Sequence, residues 1–293
     1  MSSSSDSTSN LLHGVTYKQT GETYTPVIRI GEQEFAPQSQ SFTLTVDTTA
    51  RYCLGWRDLE HGVSHPCPST NQTDSKYDTC PACQKRTGFN PAFYHAASIS
   101  PQQEKLNQEP HILYLAHFGD TYIKVGISRA RRGIKRLLEQ GARSALILDT
   151  FPTALIARQY EAQIAALSHI HETTSVSTKV KFLQQPYDPT AGHNLLLQCR
   201  NEIEQHLSRT FSTTSPQSFD SVYFSGEYTA GVFTALPTNM ISGTYLGCVG
   251  DVLIMQHGDH RLALSLKQLH GYPASIINSI TPLNLPPQQA SLF

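Results

Sequence analysis

The chain has 293 residues, of which 39% are hydrophobic and 15% charged, and its formal net charge at pH 7 is −1. This length predicts about two domains. The near-neutral charge excludes a globally basic nucleic-acid-binding protein but not a local basic patch. No apolar run approaches the ~18–20 residues of a membrane span, and the Ser-rich start lacks the basic and apolar regions of a secretion signal. We therefore expect a cytoplasmic protein without a membrane partner.

Composition and hydrophobic periodicity along the chain predict an α+β protein. The first segment is rich in Ser, Thr, Asn and Gln, which is typical of disorder. Residues 98–109 have the composition of a linker. The predicted segments are a disordered tail at 1–22, a β and Cys-rich zinc-binding module at 23–97, an α+β domain at 110–185, a helical connector at 186–218, a small β domain at 219–280 with short strands that include 221–224 and 230–236, and a loose tail at 281–293.

Six cysteines occur in the chain, and the first four lie in a segment that holds few apolar residues. Such a segment buries too little surface to fold unaided, so it requires a staple. Without a secretion signal the thiols should stay reduced, which favours metal ligation over disulfides. The sequence predicts a structural zinc site, with His61 and His65 as reserve ligands; the alternative is that only the C-x-x-C pair faces each other. The predicted ligands are Cys53, Cys67, Cys80 and Cys83.

Residues 111–170 predict a strand, a turn, a second strand, a helix over 130–141, a third strand and a helix that Thr153 caps. In the first helix an apolar stripe contains Ile134, Leu137 and Leu138. The apolar face of the second helix is expected to contain Ile156, Tyr160, Ile164 and Leu167.

Basic residues are concentrated in the same segment, where Glu139 is the one acid between Lys124 and Arg143. On a helical wheel Arg132, Arg136 and Arg143 lie nearly opposite the apolar stripe. Guanidinium groups in a row suit bidentate binding of phosphates, although such charges more often form a solvated helix face. The predicted nucleic-acid-binding residues are Arg129, Arg131, Arg132, Lys135 and Arg143.

The order of these motifs resembles the GIY-YIG nuclease superfamily over about residues 111–170. Tyr114, in Leu113-Tyr114-Leu115, matches the tyrosine of the first strand, and Lys124-Val125-Gly126 matches the Tyr-x-Gly element of the second. Lys124 replaces the second tyrosine, and Tyr122 is the candidate to substitute for it. Arg136 matches the helix arginine, and Glu161 matches the metal-binding glutamate. The whole chain also resembles an uncharacterised prokaryotic family with a GIY-YIG-like core between a zinc-type module and a small β domain.

The resemblance implies a metal-dependent endonuclease, a hydrolase that cleaves phosphodiester bonds in DNA or RNA. Its catalytic residues would be Tyr114, Tyr122, Lys124, Arg136 and Glu161. Glu161 would hold Mg²⁺ or Mn²⁺ beside a phosphate oxygen, and Arg136 would neutralise the scissile phosphate. Tyr114 would deprotonate or orient the attacking water, and Lys124 would lower the pKa of a tyrosine or bind phosphate.

Two other functions fit the same sequence. One is a catalytically inactive, zinc-containing nucleic-acid-binding module, and the other is a protein-interaction module. Both nucleic-acid functions predict salt-dependent binding, whereas cleavage that requires Glu161 is expected of the nuclease alone.

Overall fold

The structure is a computed structural model that describes residues 10–38, 40–74, 77–90, 98–236 and 239–286. Its strands are β1 (Leu12–Thr20), β2 (Thr23–Ile30), β3 (Gln33–Phe35), β4 (Ser41–Val46), β5 (Trp56–Arg57), β6 (Ser64–His65), β7 (His111–Gly119), β8 (Tyr122–Arg129), β9 (Ser144–Phe151), β10 (Ile170–His171), β11 (Gln217–Ser218), β12 (Met240–Val249), β13 (Val252–His257), β14 (His260–Ser265) and β15 (Ala274–Ile277). Its helices are α1 (Pro81–Thr87), α2 (Pro101–Asn107), α3 (Lys135–Gln140), α4 (Ala154–Ala165), α5 (Val176–Leu183), α6 (Pro189–Leu207) and α7 (Asp220–Tyr223). The fold is therefore of mixed α+β class, as predicted.

The chain divides into two compact units. The first comprises Met1–Leu54, Ser69–Asp78 and Asp220–Phe293, and the second comprises Gly55–Pro68 and Thr79–Phe219. None of the helices in the described residues is long and apolar enough to cross a membrane.

The first unit contains a three-stranded sheet, β1-β2-β3, and a five-stranded sheet in the order β14-β13-β12-β4-β15. Strand β4 pairs antiparallel with β12 and β15, so that Leu44 lies opposite both Ile241 and Ile276. Apolar side chains of both sheets, including those of Leu12 and Phe42, form one buried cluster. The N-terminal strands thus share a core with the C-terminal strands, and the separate modules predicted at 23–97 and 219–280 are not seen.

The predicted disorder at 1–22 is wrong for the part that the structure describes. Residues 12–20 form β1, and Tyr17 is fully buried with its hydroxyl donating to the carbonyl oxygens of Cys248 (2.9 Å) and Gly250 (3.2 Å). The polar composition predicted that the entropy cost of ordering this segment would exceed any gain from burial. Burial of Leu12 and Tyr17 offsets that cost. Residues 1–9 lie outside the described residues.

Three other local predictions are also wrong. Residues 98–109 contain α2, which Ser100 caps by accepting from the Gln103 N–H and which begins with a proline at its first position. The strand predicted at 221–224 is the short helix α7, and 230–236 contributes only an isolated bridge at Thr234. In the predicted loose tail, the N–H of Thr281 donates to Ser242 Oγ (2.8 Å), while residues 287–293 lie outside the described residues.

The second unit is built on the sheet β10-β8-β7-β9-β11. Strand β7 lies between β8 and β9, antiparallel to both, and all nine of its residues are buried. Leu113 and Leu115 share a cluster with α4 and with Leu196, Cys199 and Ile203 of α6. The predicted helical connector at 186–218 is therefore part of the core of this unit.

The helix predicted over 130–141 is interrupted at Gly133. Residues Ala130–Arg132 form a single 3₁₀ turn, and Gly133 has φ +48° and ψ −140°, a backbone conformation that excludes it from a helix. Helix α3 then runs to Gln140 and ends at Gly141 with φ +75°. This break separates the basic residues before Gly133 from Arg136, which α3 carries.

Candidate functional site

The side chain of Tyr114 occupies space that only a glycine on the neighbouring strand can provide. Tyr114 lies opposite Gly126 in the β7–β8 ladder. A Cβ atom added at Gly126 would lie 2.4 Å from the Tyr114 hydroxyl oxygen and 2.6 Å from Cζ. Gly126 therefore leaves room for the ring of Tyr114 to lie across β8. This is why the glycine of the lysine-x-glycine element lies opposite the tyrosine of β7.

The hydroxyl of Tyr114 is surrounded by hydrogen-bond donors from helix α3. Gln140 Nε2 donates to it, and Arg136 also hydrogen-bonds to it. Burial raises the pKa of Tyr114, although the positive charge of Arg136 opposes this shift. The hydroxyl therefore keeps its proton, and among the described residues no acceptor takes that proton. Of the two roles expected from the sequence, deprotonating or orienting a water molecule, this arrangement disfavours the first, because the hydroxyl keeps a proton that it can donate.

Gln140, which no sequence motif indicated, links Tyr114 to Lys124. Lys124 Nζ donates to Gln140 Oε1 at 2.9 Å. Because an ammonium group only donates, the amide oxygen must face Lys124, and its NH₂ must then face Tyr114. A neutral amide in a basic segment gives no charge signal, so its role follows only from the contacts.

Lys124 lies in a partly desolvated and positively charged environment. Its pKa is lowered to about 8, mainly by burial and also by the positive charges of Arg136 and Lys179, whereas Glu161 and Glu172 oppose the shift. A cation this close to Arg136 is costly to the folded protein unless an anion lies nearby.

Glu161 lies on the buried face of α4 and is 6% exposed. The apolar stripe predicted for this helix placed Glu161 at its edge. Ile164 of that stripe is buried and Ile156 and Tyr160 pack against the same core, but the small Ala154 and Ala157 are buried too, which widens the buried face. Burial raises the pKa of the Glu161 carboxyl, and an ion pair from Arg158 to Oε2 lowers it. Arg158 also contacts Glu172 Oε1 at 3.3 Å. Glu161 is therefore shielded from solvent, and it lies close enough to Lys124 and Tyr114 for its negative charge to raise the pKa of both.

Five side chains thus form what we name the Tyr114 cluster. Its members are Tyr114, Lys124, Arg136, Gln140 and Glu161.

Tyr122 lies outside this cluster. Its ring stacks on His171 with centroids 4.0 Å apart, and its hydroxyl donates to the Thr173 carbonyl oxygen at 2.7 Å. Tyr122 therefore does not take the place of the second tyrosine that the resemblance implies.

The basic residues predicted to bind nucleic acid do not form a single row, because they lie in several different environments. Arg143 is 3% exposed, and its guanidinium lies 4.1 Å over the Tyr187 ring, because the helix ends before it. Arg131 pairs with Glu109 at 3.0 Å, and Arg132 pairs with Glu139. Lys135 begins α3, and Arg129 ends β8.

The four predicted cysteine ligands converge, and we name them the cysteine cluster. Their sulfur atoms all lie within 4.8 Å of one another, and all four residues are buried. Tetrahedral Zn²⁺ with Zn–S bonds of about 2.3 Å separates its sulfurs by about 3.8 Å. The set of four thiols therefore fits a metal ion such as zinc.

Local backbone geometry explains how distant cysteines meet. Helix α1 starts at Pro81, directly after Cys80, and brings Cys83 into its first turn. Gly55 has φ +92°, and a Cβ atom there would lie 1.9 Å from the His65 carbonyl oxygen, so glycine permits the chain before Cys67 to approach closely.

The two reserve ligands lie elsewhere. His61 is exposed and pairs with Asp58 at 2.7 Å, while His65 stacks on Trp56 with centroids 4.3 Å apart.

Residues 60–274 match the family model described as a protein of unknown function (DUF2797). The chain belongs to the DUF2797 family. No curated protein and no solved structure matches it. The DUF2797 match includes the whole Tyr114 cluster and three of the four cysteines but begins after Cys53.

Lys124 should give this DUF2797 chain a distinctive dependence of stability on pH. Because its pKa falls from 10.5 to about 8 on folding, unfolding takes up a proton between these two values, and stability rises as pH increases across this window. We expect the stability of the wild type relative to Lys124→Met to rise by about 2–3 kcal/mol between pH 8 and 10.5. Urea unfolding at several pH values measures this difference. Lys181→Met, at an exposed position on α5, should retain the wild-type slope, and the same slope in Lys124→Met would contradict the prediction.

Proposed function

We propose that the Tyr114 cluster hydrolyses phosphodiester bonds in DNA or RNA with the help of Mg²⁺ or Mn²⁺. The observation that carries the proposal is the convergence of a tyrosine hydroxyl, two cationic groups and a carboxylate from β7, β8, α3 and α4. The order of these elements in the chain is the order that the GIY-YIG resemblance implies, which supports the proposal.

Each side chain has a definite task in this proposal. Arg136 and Lys124 place positive charge where the phosphate gains negative charge in the transition state. Tyr114 donates its unused proton to a phosphate oxygen or to the attacking water, and Gln140 fixes the direction of this donation.

The Glu161 carboxylate would hold a metal ion only if substrate oxygens supplied further ligands. Among the described residues, the cysteine cluster is the one close group of three or more metal-binding side chains. Arg158 uses Glu161 Oε2, and none of the described residues hydrogen-bonds to Oε1. Mg²⁺ is commonly held by one carboxylate, substrate phosphate oxygens and water. Glu161 would hold the metal in this way, and the metal would stabilise the leaving oxygen.

A second candidate function is binding of nucleic acid without cleavage. It is favoured by the Arg158–Glu161 ion pair, which neutralises the one carboxylate of the cluster. In this alternative the cysteine cluster holds a structural zinc, and the cations hold phosphate. Mg²⁺-dependent strand cleavage distinguishes the two functions.

Tyr114→Phe tests the role given to the hydroxyl. We expect strand cleavage to fall by about 100-fold because the transition state loses a positioned donor. Stability should fall by only about 1–3 kcal/mol, since the ring still fills its space and Gln140 and Arg136 lose one acceptor. Single-turnover cleavage and thermal unfolding measure the two effects.

Tyr122→Phe is the matched control, because it removes a hydroxyl of the same strand pair that lies outside the Tyr114 cluster. It should cleave at the wild-type rate. Equal rates for Tyr114→Phe and the wild type would remove the hydroxyl from the mechanism.

A further inference from the structure

Arg57 is an exposed arginine of the Cys-rich segment, outside the basic residues predicted to bind nucleic acid. It lies on β5, and its backbone N–H donates to Thr87 Oγ1 at 3.0 Å. Thr87 ends α1, the helix that carries Cys83. The β5–β6 hairpin is thereby attached to the helix of the cysteine cluster.

Contacts within the second unit bring this hairpin near the end of β8. Glu60, in the hairpin turn, pairs with Lys105 of α2 at 2.6 Å. Two residues beyond the end of α2, Glu109 pairs with Arg131 at 3.0 Å. Arg57 therefore shares a surface with the arginines that follow β8.

The electrostatics of these arginines agree with this placement. Burial is the main cause that lowers the pKa of Arg129 and of Arg132, and the positive charge of Arg57 lowers both pKa values further. We name Arg57, Arg129, Arg131 and Arg132 the arginine surface.

The arginine surface carries more positive charge than its neighbours compensate. Arg131 and Arg132 each have a glutamate partner. By contrast, no carboxylate pairs with Arg57 in the part of the chain that the structure describes, and the buried Nη1 of Arg129 has no hydrogen-bond partner there. Guanidinium groups whose charges act on one another in this way repel, and an anionic ligand relieves the repulsion.

We propose that the arginine surface binds successive phosphates of the polynucleotide whose scissile phosphate lies at the Tyr114 cluster. The inference rests on the proposed function and names its substrate class as a polymer rather than a mononucleotide. Arg132 connects the arginine surface to the Tyr114 cluster, since the positive charge of Arg136 contributes to the lowered pKa of Arg132. The Glu60–Lys105 and Glu109–Arg131 ion pairs hold Arg57 on the same surface, so Arg57 extends the contact into the Cys-rich segment.

Binding of labelled oligonucleotides of increasing length, measured by fluorescence anisotropy in buffer without Mg²⁺ or Mn²⁺, tests the proposal. The strand then stays intact, and no chelator is needed that would strip a zinc ion. We expect Arg57→Ala to weaken binding of a twelve-nucleotide strand about tenfold at low salt. The slope of log affinity against log salt should fall by about one. Arg57→Lys should restore part of the affinity, and a mononucleotide should bind far more weakly than the twelve-nucleotide strand.

Arg86→Ala is the matched control, because Arg86 is an exposed arginine of the same Cys-rich segment on α1. Equal effects of Arg57→Ala and Arg86→Ala, or no effect of Arg57→Ala, would overturn the proposal while leaving hydrolysis at the Tyr114 cluster standing. Conversely, Arg57-dependent binding without any cleavage on addition of Mg²⁺ or Mn²⁺ would sustain the arginine surface and reject hydrolysis. Absence of polynucleotide binding by the wild type would overturn both.

Discussion

A chain carrying Cys83→Ser is expected to lose its bound zinc and a large part of its stability. Cys83 is 1% exposed and contributes one of four sulfurs within 4.8 Å of one another. Four close thiols bind zinc as thiolates, and a structural zinc contributes on the order of 10 kcal/mol to the folding of small zinc modules. A serine hydroxyl is a poor replacement for a thiolate. Metal analysis of the purified protein and thermal unfolding measure the two losses.

Cys199→Ser provides the control for simply losing a buried thiol. Cys199 is 4% exposed on α6 and lies outside the cysteine cluster, and burial raises its pKa to about 11. This variant should keep stoichiometric zinc and lose only about 1–2 kcal/mol of stability. Full zinc occupancy in Cys83→Ser, or a wild type that never contains metal, would show that the cysteine cluster is not a zinc site.

The second large effect is expected for Glu161→Gln, which should reduce strand cleavage by about 1,000-fold or more. The amide has the shape of the carboxylate but lacks the charge that holds a divalent metal, and such a metal contributes several kcal/mol to transition-state stabilisation. The fold should persist because Arg158 retains Glu172 as a partner. Single-turnover cleavage in saturating Mg²⁺, with circular dichroism as a check on folding, measures the effect.

Glu172→Gln is the matched control for Glu161→Gln. Glu172 pairs with the same arginine, but its side chain is 47% exposed. Cleavage by this variant should stay within a few-fold of the wild type. If Glu161→Gln cleaves as fast as Glu172→Gln, the carboxylate of Glu161 has no part in the reaction.

Local patterns predicted the elements that hold the Tyr114 cluster. Thr153 caps α4 as its spacing before an apolar run suggested. The alternation in β8 and the apolar run in β7 also identified both strands. These elements depend on periodicity and capping, which a single segment of sequence contains.

Packing decided what the local patterns could not. In α4 the expected Ile156 and Tyr160 do pack against the core, but the small Ala154 and Ala157 are buried as well, so the helix lies close to the sheet and Glu161 is also buried. The pairing of β4 with β12 joins residues roughly two hundred positions apart, and alternation predicts a strand without naming its partner.

The most direct test of the central claim is strand cleavage by the zinc-loaded wild-type protein. Labelled single-stranded and duplex DNA and RNA would be incubated with it over a range of Mg²⁺ and Mn²⁺ concentrations, and the products would be separated by length. We expect strand breaks in at least one of these nucleic acids that require the added metal and saturate with it. Intact strands under every condition, or breaks at the same rate without added metal, would contradict the central claim.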